Sequence, residues 1–284
     1  MKMNDTPVFA AALGKGKIKW LTCLLILAAV LVTFFPIFWL IETAFKHQVD
    51  FLSVPPKIIF LPTLKNFRSV LAQSDFALAY QNSTVISLFA VVLSTLLGVP
   101  AAYGLSRFRF PARGLLSFWI LSTRFIPPVV VVIPFFLIFR VLGLANTISG
   151  MVLIYMVASL PLVIWIMVGF FDDIPFELEE AACVDGASPI ATFTRIAAPL
   201  IAPGVIATVI LALIGSWNEL LYATVLTGPD TRTLPVAIYN FVSYQEIAWG
   251  NLCAAGVLAI APIMVFTVAI QKYLVSGLTF GAVK

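Results

Sequence analysis

The chain has 284 residues, of which 61% are hydrophobic and only 11% are charged, and its mean hydropathy is +1.06. Soluble domains carry about 25% charged residues, so this composition excludes an ordinary water-soluble domain and indicates a protein of the lipid bilayer. The net charge of +4 does not indicate a nucleic-acid partner, because basic residues accumulate on the cytoplasmic side of membrane proteins. The widely separated Cys23, Cys183 and Cys253 predict neither a disulfide framework nor a zinc site.

The first long apolar run begins at Trp20, shortly after three lysines, and continues for about 25 residues. A cleavable signal peptide has an apolar core of about 7–15 residues, followed by a small-residue cleavage site. Neither feature fits this run. The sequence therefore predicts an uncleaved first membrane span.

Five more apolar runs follow, and each is long enough to cross a bilayer, which takes about 20 residues. The runs are continuous rather than alternating, and a spanning segment must satisfy its own backbone hydrogen bonds, so we predict helices. The predicted fold is an all-α polytopic membrane protein. It forms one transmembrane domain over residues 1–284, without a separate soluble domain. The six predicted spans are residues 20–44, 84–105, 114–139, 149–170, 200–223 and 251–274.

Lysine and arginine residues are unevenly distributed among the connections between these spans. With the N-terminus inside, the cytoplasmic segments hold ten of them and the outside segments hold six, while Arg124 falls within the third span. The densest basic cluster, from Arg107 to Arg113, follows the second span. The positive-inside rule therefore predicts that both termini lie in the cytoplasm.

The connection at residues 172–199, called the loop segment below, is polar and lies on the predicted cytoplasmic side. Its residues predict two short helices joined by a turn. Asp173 is a candidate N-cap of the first helix, and Gly186 suits the left-handed conformation that ends it. Ser188 is a candidate N-cap of the second helix, which we expect Pro199 to close. Composition alone favours a solvated amphipathic loop.

A spaced motif within the loop segment changes that interpretation. It combines an acidic residue, two alanines, an Asp-Gly turn and a later Pro-Leu pair: Glu180-Ala181-Ala182-x-x-Asp185-Gly186-Ala187, then Ile196-x-x-Pro199-Leu200. This pattern resembles the EAA loop of ABC-importer permeases. It departs from that family mildly at Ala198, where leucine is usual.

Further stretches make the resemblance more specific. They are Asn82-Ser83, residues 101–111, Trp217-Asn218-Glu219, Arg232-Thr233-Leu234-Pro235, Gln271-Lys272-Tyr273, Gly277-Leu278-Thr279 and Gly281-Ala282-Val283-Lys284. They are similar to stretches of maltose-type carbohydrate importers, and in particular of the shorter, six-span permease of the pair. The resemblance runs from about residue 20 to the end of the chain.

The resemblance implies an ATP-driven importer in the inner (cytoplasmic) membrane of a bacterium. A second, related permease would enclose a pathway for a carbohydrate together with this chain, and a soluble binding protein facing residues 224–250 would deliver the solute. Two ATP-binding subunits, reached by the C-terminal tail, would bind ATP and Mg. This chain would then be a transport subunit rather than an enzyme, with no cofactor of its own and no nucleic-acid partner.

The same resemblance implies roles for the motif residues of the loop segment. Each ATP-binding subunit would receive one such helix-turn-helix in a surface cleft. Glu180 would pair with a basic group of the ATPase, and Gly186 would provide the turn. Ala181, Ala182 and Asp185 would complete the coupling surface.

Four polar residues within or near predicted spans are candidates for the pathway: Arg124, Trp217, Asn218 and Glu219. Ionisable residues at membrane depth are functional candidates by default. Such residues either join helices through buried pairs and hydrogen bonds, or line the pathway and bind sugar hydroxyls. An arginine there would also suit an anionic substrate. Pro127-Pro128, just after Arg124, is a candidate kink or hinge.

Three other functions are considered against these residues. An importer permease for another solute, such as a polyol, fits the same features, whereas the sugar-type tail argues against amino acids. A membrane-embedded enzyme would need a convergent catalytic set, which the single His47 and the few buried acids do not supply. A secondary transporter would show inverted repeats or broken helices in both halves, and the sequence predicts no such pair.

Overall fold

The computed structural model describes residues 15–51, 53–55, 57–242 and 248–279, so the predictions for the N-terminal lysine at position 2 and for the last five residues lie outside it. The regular structure of these residues is helical, which confirms the predicted all-α class. The helices are α1 (Lys15–Ala44), α2 (Gln48–Phe51), α3 (Lys65–Leu71), α4 (Ser74–Arg107), α5 (Arg113–Phe125, ending in a 3₁₀ turn), α6 (Pro128–Val141), α7 (Ile148–Asp172), α8 (Phe176–Val184), α9 (Pro189–Leu200), α10 (Ala202–Trp217), α11 (Leu221–Leu226), α12 (Leu234–Tyr239) and α13 (Trp249–Thr279).

Four of the described helices, α1, α4, α7 and α13, are long and apolar enough to cross a bilayer unaided. They correspond to the first, second, fourth and sixth predicted spans. Two further pairs qualify only as bent spans: α5 with α6, at an angle of 97°, and α9 with α10, at 73°. The described residues thus contain four to six spans, and the third and fifth predicted spans are not continuous helices.

The break in the third predicted span follows from Pro127-Pro128. The residue before a proline is pushed out of the helical region, and both Ile126 (ψ 118°) and Pro127 (ψ 130°) have extended ψ angles. Pro128 then occupies the first turn of α6, where its missing N–H is harmless. The hinge inferred from this proline pair is therefore a complete interruption of the helix.

The fifth predicted span is broken as well, at residues 218–220, between α10 and α11. The prediction that no pair of spans contains broken helices is therefore wrong. The reason is that the second break has no proline in it, so apolar length alone joined α10 and α11 into one run. These breaks place polar residues in the interior of two apolar segments.

The chain forms two compact units, and the smaller comprises residues 1–70 with 248–257. Its most buried large side chain is Lys46, which is fully buried. Lys46 Nζ lies 2.8 Å from Glu42 Oε1 and about 5 Å from the ring centroids of Trp39 and Phe60. Glu42, near the end of α1, thus forms a buried ion pair within this unit.

The larger unit comprises residues 71–247 with 258–284, and its core lies between α4, α7 and α10. Close approach of α4 and α7 depends on Gly98, because a Cβ atom there would lie 2.7 Å from Val163 Cγ1. Small residues at helix contacts are typical of membrane proteins, in which packing rather than water drives helix association.

The loop segment folds into the two predicted helices, but two of its predicted ends are wrong. Asp173 is not the N-cap of α8. It ends α7, with its N–H donating to Gly169 O at 3.1 Å, and α8 starts only after Pro175. Pro199 does not close the second helix either: α9 continues through a π turn to Leu200 and bends into α10 there. A proline in the first turn of a helical piece is tolerated, so its presence did not mark a helix end.

Candidate functional site

The turn between α8 and α9 has the predicted conformation. Gly186 has a φ of +87°, a left-handed conformation that disfavours any residue with a Cβ by about 1–2 kcal/mol. The N–H of Ala187 donates to Ala182 O at 2.9 Å, and the N–H of Gly186 donates to Cys183 O at 3.0 Å. These two bonds form a Schellman motif, which satisfies the last carbonyl groups of α8.

Ser188 caps α9 as predicted. Its Oγ accepts a hydrogen bond from the N–H of Ala191 at 3.3 Å, and Pro189 follows it in the first turn. The loop segment is therefore a helix-turn-helix whose two ends at the turn are fixed by its own residues. The side chain of Asp185 is exposed beside this turn.

Glu179 anchors α8 to the rest of the larger unit. Its side chain is only 5% exposed, and its Oε1 lies 2.6 Å from Arg107 Nε at the end of α4. Its Oε2 accepts a hydrogen bond from the hydroxyl of Tyr103 at 2.7 Å. Both carboxylate oxygens are thus engaged by α4. We call Tyr103, Arg107 and Glu179 the anchor cluster.

The guanidinium of Arg107 also holds the end of α7. Its Nη2 donates to the carbonyl oxygens of Phe171, at 2.7 Å, and Ile174, at 3.1 Å. Ser106 forms a short hydrogen bond to Asp172, the last residue of α7. A single arginine therefore joins α4, the end of α7 and α8, with most of its donors satisfied.

The outer face of the helix-turn-helix carries most of the predicted coupling residues. Glu180 and Ala181 are exposed, whereas Ala182 is buried against the protein. Two large apolar side chains beside the turn are strongly exposed: Val184 at 87% and Ile190 at 77%. The loop segment thus has an inner face that contacts the larger unit and an exposed outer face with an acidic group and apolar side chains.

Sequence reasoning missed the anchor cluster. The sequence placed Arg107 in a basic cluster and gave no reason to single out Glu179. One local signal was present, because Glu179 and Ala182 are three residues apart and therefore share one face of α8. That spacing would have identified the inner face, but not the partner across it.

A cavity of about 540 Å³ lies between α5, α6 and α7 and the break after α10. Both charged pathway candidates line it, Arg124 from the end of α5 just before the first break and Glu219 from the second break. Arg124 Nη1 donates to the carbonyl oxygen of Ala158 at 3.2 Å. Glu219 Oε1 accepts from the N–H of Tyr222 at 2.9 Å, which holds it at the start of α11.

The other two pathway candidates do not line this cavity. Trp217 is 6% exposed, its Nε1 donates to Ala259 O at 3.1 Å, and its ring meets Tyr80 edge-on at 5.7 Å. Asn218 is exposed and donates to Ile214 O, one turn back, at 2.8 Å. Trp217 therefore joins helices, and Asn218 caps the end of its own helix.

Two motif residues of α4, Asn82 and Ser83, bind the segment that precedes α12. Asn82 Nδ2 donates to the carbonyl oxygens of Asp230, at 2.9 Å, and Arg232, at 3.0 Å. Ser83 Oγ accepts from the N–H of Leu234 at 2.7 Å. These contacts fix residues 230–234 against α4. Among the described residues, no group of three or more His, Cys, Asp or Glu side chains could hold a metal ion.

Comparison with known proteins agrees with the resemblance inferred from the motifs. Residues 94–280 match the family model described as "Binding-protein-dependent transport system inner membrane component". This range contains the loop segment, the anchor cluster and both breaks.

Individual relatives cover nearly the whole chain. It is 35% identical over 268 residues to a probable ABC transporter permease protein, y4oR, of Sinorhizobium fredii, covering 94% of this chain and 96% of the relative. It is also 35% identical over 268 residues to the trehalose/maltose transport system permease protein MalG of Thermococcus litoralis, covering 92% and 96%. A crystal structure of a bacterial ABC transporter involved in the import of the acidic polysaccharide alginate contains a chain of the same fold, with a TM-score of 0.77 at 23% identity, covering 95% and 99%. The chain belongs to the binding-protein-dependent transport system inner membrane component family, and it is a permease subunit of an ABC importer rather than an enzyme.

Proposed function

We propose that this permease imports a carbohydrate and receives the motion that drives transport through the outer face of the loop segment. Two ATP-binding subunits hold ATP and Mg, and each accepts one such helix-turn-helix, from this chain or from a second, related permease. A soluble binding protein delivers the sugar. Both termini and the loop segment lie on the cytoplasmic side.

The observation that carries the proposal is the division of two neighbouring carboxylates. Both carboxylate oxygens of Glu179 are bound inside the larger unit, by Arg107 and Tyr103. Glu180, the next residue, is exposed. A charged group on a preformed turn, flanked by exposed Val184 and Ile190, suits a cleft that offers a basic residue and an apolar wall. Glu180, Ala181 and Asp185 are therefore the residues assigned to contact with the ATPase, and Ala182 and Gly186 hold their position.

The anchor cluster gives this contact a mechanical consequence. Because Arg107 binds α8 and the end of α7 at once, a displacement of α8 is shared by α4 and α7. Packed helices shift as rigid bodies rather than deforming continuously. When the docked turn between α8 and α9 moves, α4 and α7 therefore move with it.

The orientation is supported by the position of the basic cluster. The contact between Arg107 and Phe171 brings the ends of α4 and α7 together, so residues 107–113 and the loop segment lie at the same end of the larger unit. The excess of ten basic residues over six supports a cytoplasmic location for that end.

The carbohydrate assignment is supported by the motif resemblance and by relatives such as the trehalose/maltose permease. Its test is uptake into proteoliposomes that contain the complete importer and its binding protein. The probes are radiolabelled trehalose, maltose and an alginate oligosaccharide. ATP-dependent uptake of at least one of them is expected, and uptake of none would contradict the assignment.

Docking is tested separately with Glu180→Lys. Reversing the charge should reduce copurification of the ATP-binding subunits, and with it ATP-dependent uptake, by roughly tenfold or more, which corresponds to about 1.4 kcal/mol. Asp173→Lys is the matched control, because Asp173 is an exposed acid in the same segment but precedes α8. Normal copurification and uptake with Glu180→Lys would refute the docking role.

A further inference from the structure

Two spans of the larger unit are broken at the same cavity. The break at residues 126–127 separates α5 from α6, and the break at 218–220 separates α10 from α11. Each lies inside an apolar run that the sequence predicts to cross the membrane. Non-helical backbone at membrane depth is tolerated only where it is buried in protein or lines a water-filled cavity. Ile126 and Glu219 both line the cavity of about 540 Å³.

The cavity contains one charge of each sign. Arg124 has no acidic side chain within ion-pair distance among the described residues, and its guanidinium gives one hydrogen bond, to Ala158 O. Since arginine carries five N–H donors, most of them remain for a ligand. Glu219 is held at one oxygen by the N–H of Tyr222, while its backbone carbonyl accepts from the hydroxyl of Tyr155 at 3.1 Å. Each charged side chain thus makes one hydrogen bond within the protein and has the capacity for more.

The rest of the wall is apolar and partly aromatic. Trp119, Phe135 and Tyr222 line the cavity together with aliphatic side chains of α6 and α7. Its volume falls within the range of about 300–1,000 Å³ for small-ligand pockets. Apolar walls with a few fixed polar groups are the usual composition of such sites.

Among carbohydrates, these features select the neutral class. An acidic sugar would bring a carboxylate against Glu219, and an amino sugar would bring an ammonium group against Arg124. A neutral molecule rich in hydroxyl groups satisfies both, because hydroxyls donate to the carboxylate and accept from the guanidinium. Its C–H faces can pack against the aromatic rings.

We propose that this cavity is a binding site for a neutral sugar ring, held between Arg124 and Glu219, within this permease subunit itself. The proposal rests on the carbohydrate import proposed above and specifies both the location of the solute and its charge. Arg124 donates to hydroxyl or ring oxygens, Glu219 accepts from hydroxyls, and the two helix breaks keep both groups at the cavity wall. Trp217 and Asn218, which do not line the cavity, have no part in binding.

The site is tested by direct binding to the purified complex of permeases and ATP-binding subunits, without the soluble binding protein. Saturation binding uses the sugar, radiolabelled trehalose or maltose, that the complete importer takes up. Arg124→Gln and Glu219→Gln should each weaken binding by roughly tenfold or more. Arg140→Gln is the matched control, because Arg140 is exposed at the far end of α6 and does not line the cavity. Unchanged binding in both cavity variants, or no binding to the wild-type complex, overturns the proposal.

A cavity-filling variant separates a sugar site from a protein interface. Val157 lines the cavity and is partly exposed, so Val157→Trp should abolish sugar binding while the complex still assembles in size-exclusion chromatography. Loss of assembly instead would identify the cavity as the binding site of a partner side chain and overturn the proposal.

The uptake assay tests the charge of the ligand. Uptake of the alginate oligosaccharide without uptake of trehalose or maltose would overturn the proposal that the ligand is neutral. Uptake of none of the three would contradict carbohydrate import instead.

Discussion

Separating Arg107 from Glu179 should loosen the loop segment without unfolding the spans. In Arg107→Met the carboxylate of Glu179, which is 5% exposed, would keep only the hydroxyl of Tyr103 as a partner. Removing one member of a buried ion pair leaves an uncompensated charge and typically destabilises by about 3–5 kcal/mol. The lost bonds to the carbonyl oxygens of Phe171 and Ile174 act in the same direction. We therefore expect a loss of about 3–5 kcal/mol in the free energy of opening α8.

Hydrogen exchange in nanodiscs measures this opening directly, because exchange of an amide reports the free energy of exposing it. The amides of Gly186 and Ala187, which close α8, are the reporters. Arg109→Met is the control, since Arg109 is an exposed arginine two residues from Arg107. It should leave exchange at both amides unchanged.

The double variant Arg107→Met/Glu179→Met distinguishes a charge effect from a packing effect. Removing both charges leaves no unpaired group, so its destabilisation should be well below the sum of the single effects. A coupling energy of at least about 1 kcal/mol is expected. If each single variant changes the opening free energy by less than this, or if the two effects simply add, Arg107 does not hold α8 through Glu179.

Three smaller perturbations have expected outcomes in the hydrogen exchange of the purified importer. Tyr103→Phe removes a hydrogen bond to a charged group and should reduce the opening free energy of α8 by about 1.5–3 kcal/mol, measured at the Gly186 amide. Gly186→Ala should reduce the opening free energy of α8 by about 1–2 kcal/mol, because the φ of +87° at this position disfavours a residue with a Cβ. Faster dissociation of the ATP-binding subunits without faster hydrogen exchange in α8 would contradict this. Ser188→Ala should reduce the stability of α9 by about 1 kcal/mol through loss of its cap, and unchanged exchange at Ala191 would refute it.

Local rules predicted the turn of the loop segment well. The left-handed Gly186 and the cap at Ser188 follow from residue types that have few alternatives, so the sequence identifies them. Helix ends that rest on a single acidic residue or proline were not predicted correctly. Asp173 and Pro199 have the residue types expected at helix ends, but tertiary packing moved those ends elsewhere.

The division between Glu179 and Glu180 could not be predicted in the same way. Adjacent glutamates have the same helix propensity and the same local charge. Which of them is buried depends on Arg107, which lies 72 residues away in sequence. The same holds for the cavity, since Arg124 and Glu219 belong to separate spans and only the folded chain brings them to one wall. The break at Pro127-Pro128 had a local signal, whereas the break at residues 218–220 had none.

The two proposed sites are joined by one helix. Arg124 binds the carbonyl oxygen of Ala158, and Arg107 binds that of Phe171, and both carbonyls belong to α7. At 1.5 Å per residue the two points are about 20 Å apart along the helix axis. Pro161 lies between them and removes one backbone hydrogen bond, which permits a bend. A displacement of α8 that pulls on the end of α7 therefore either moves α7 as a whole or bends it at Pro161. Both displace residues of the cavity wall, because Leu160 and Ile164, on either side of Pro161, line the cavity. Docking at Glu180 and retention of a sugar in the cavity are thus expected to be coupled through α7, without any contact between the two sites.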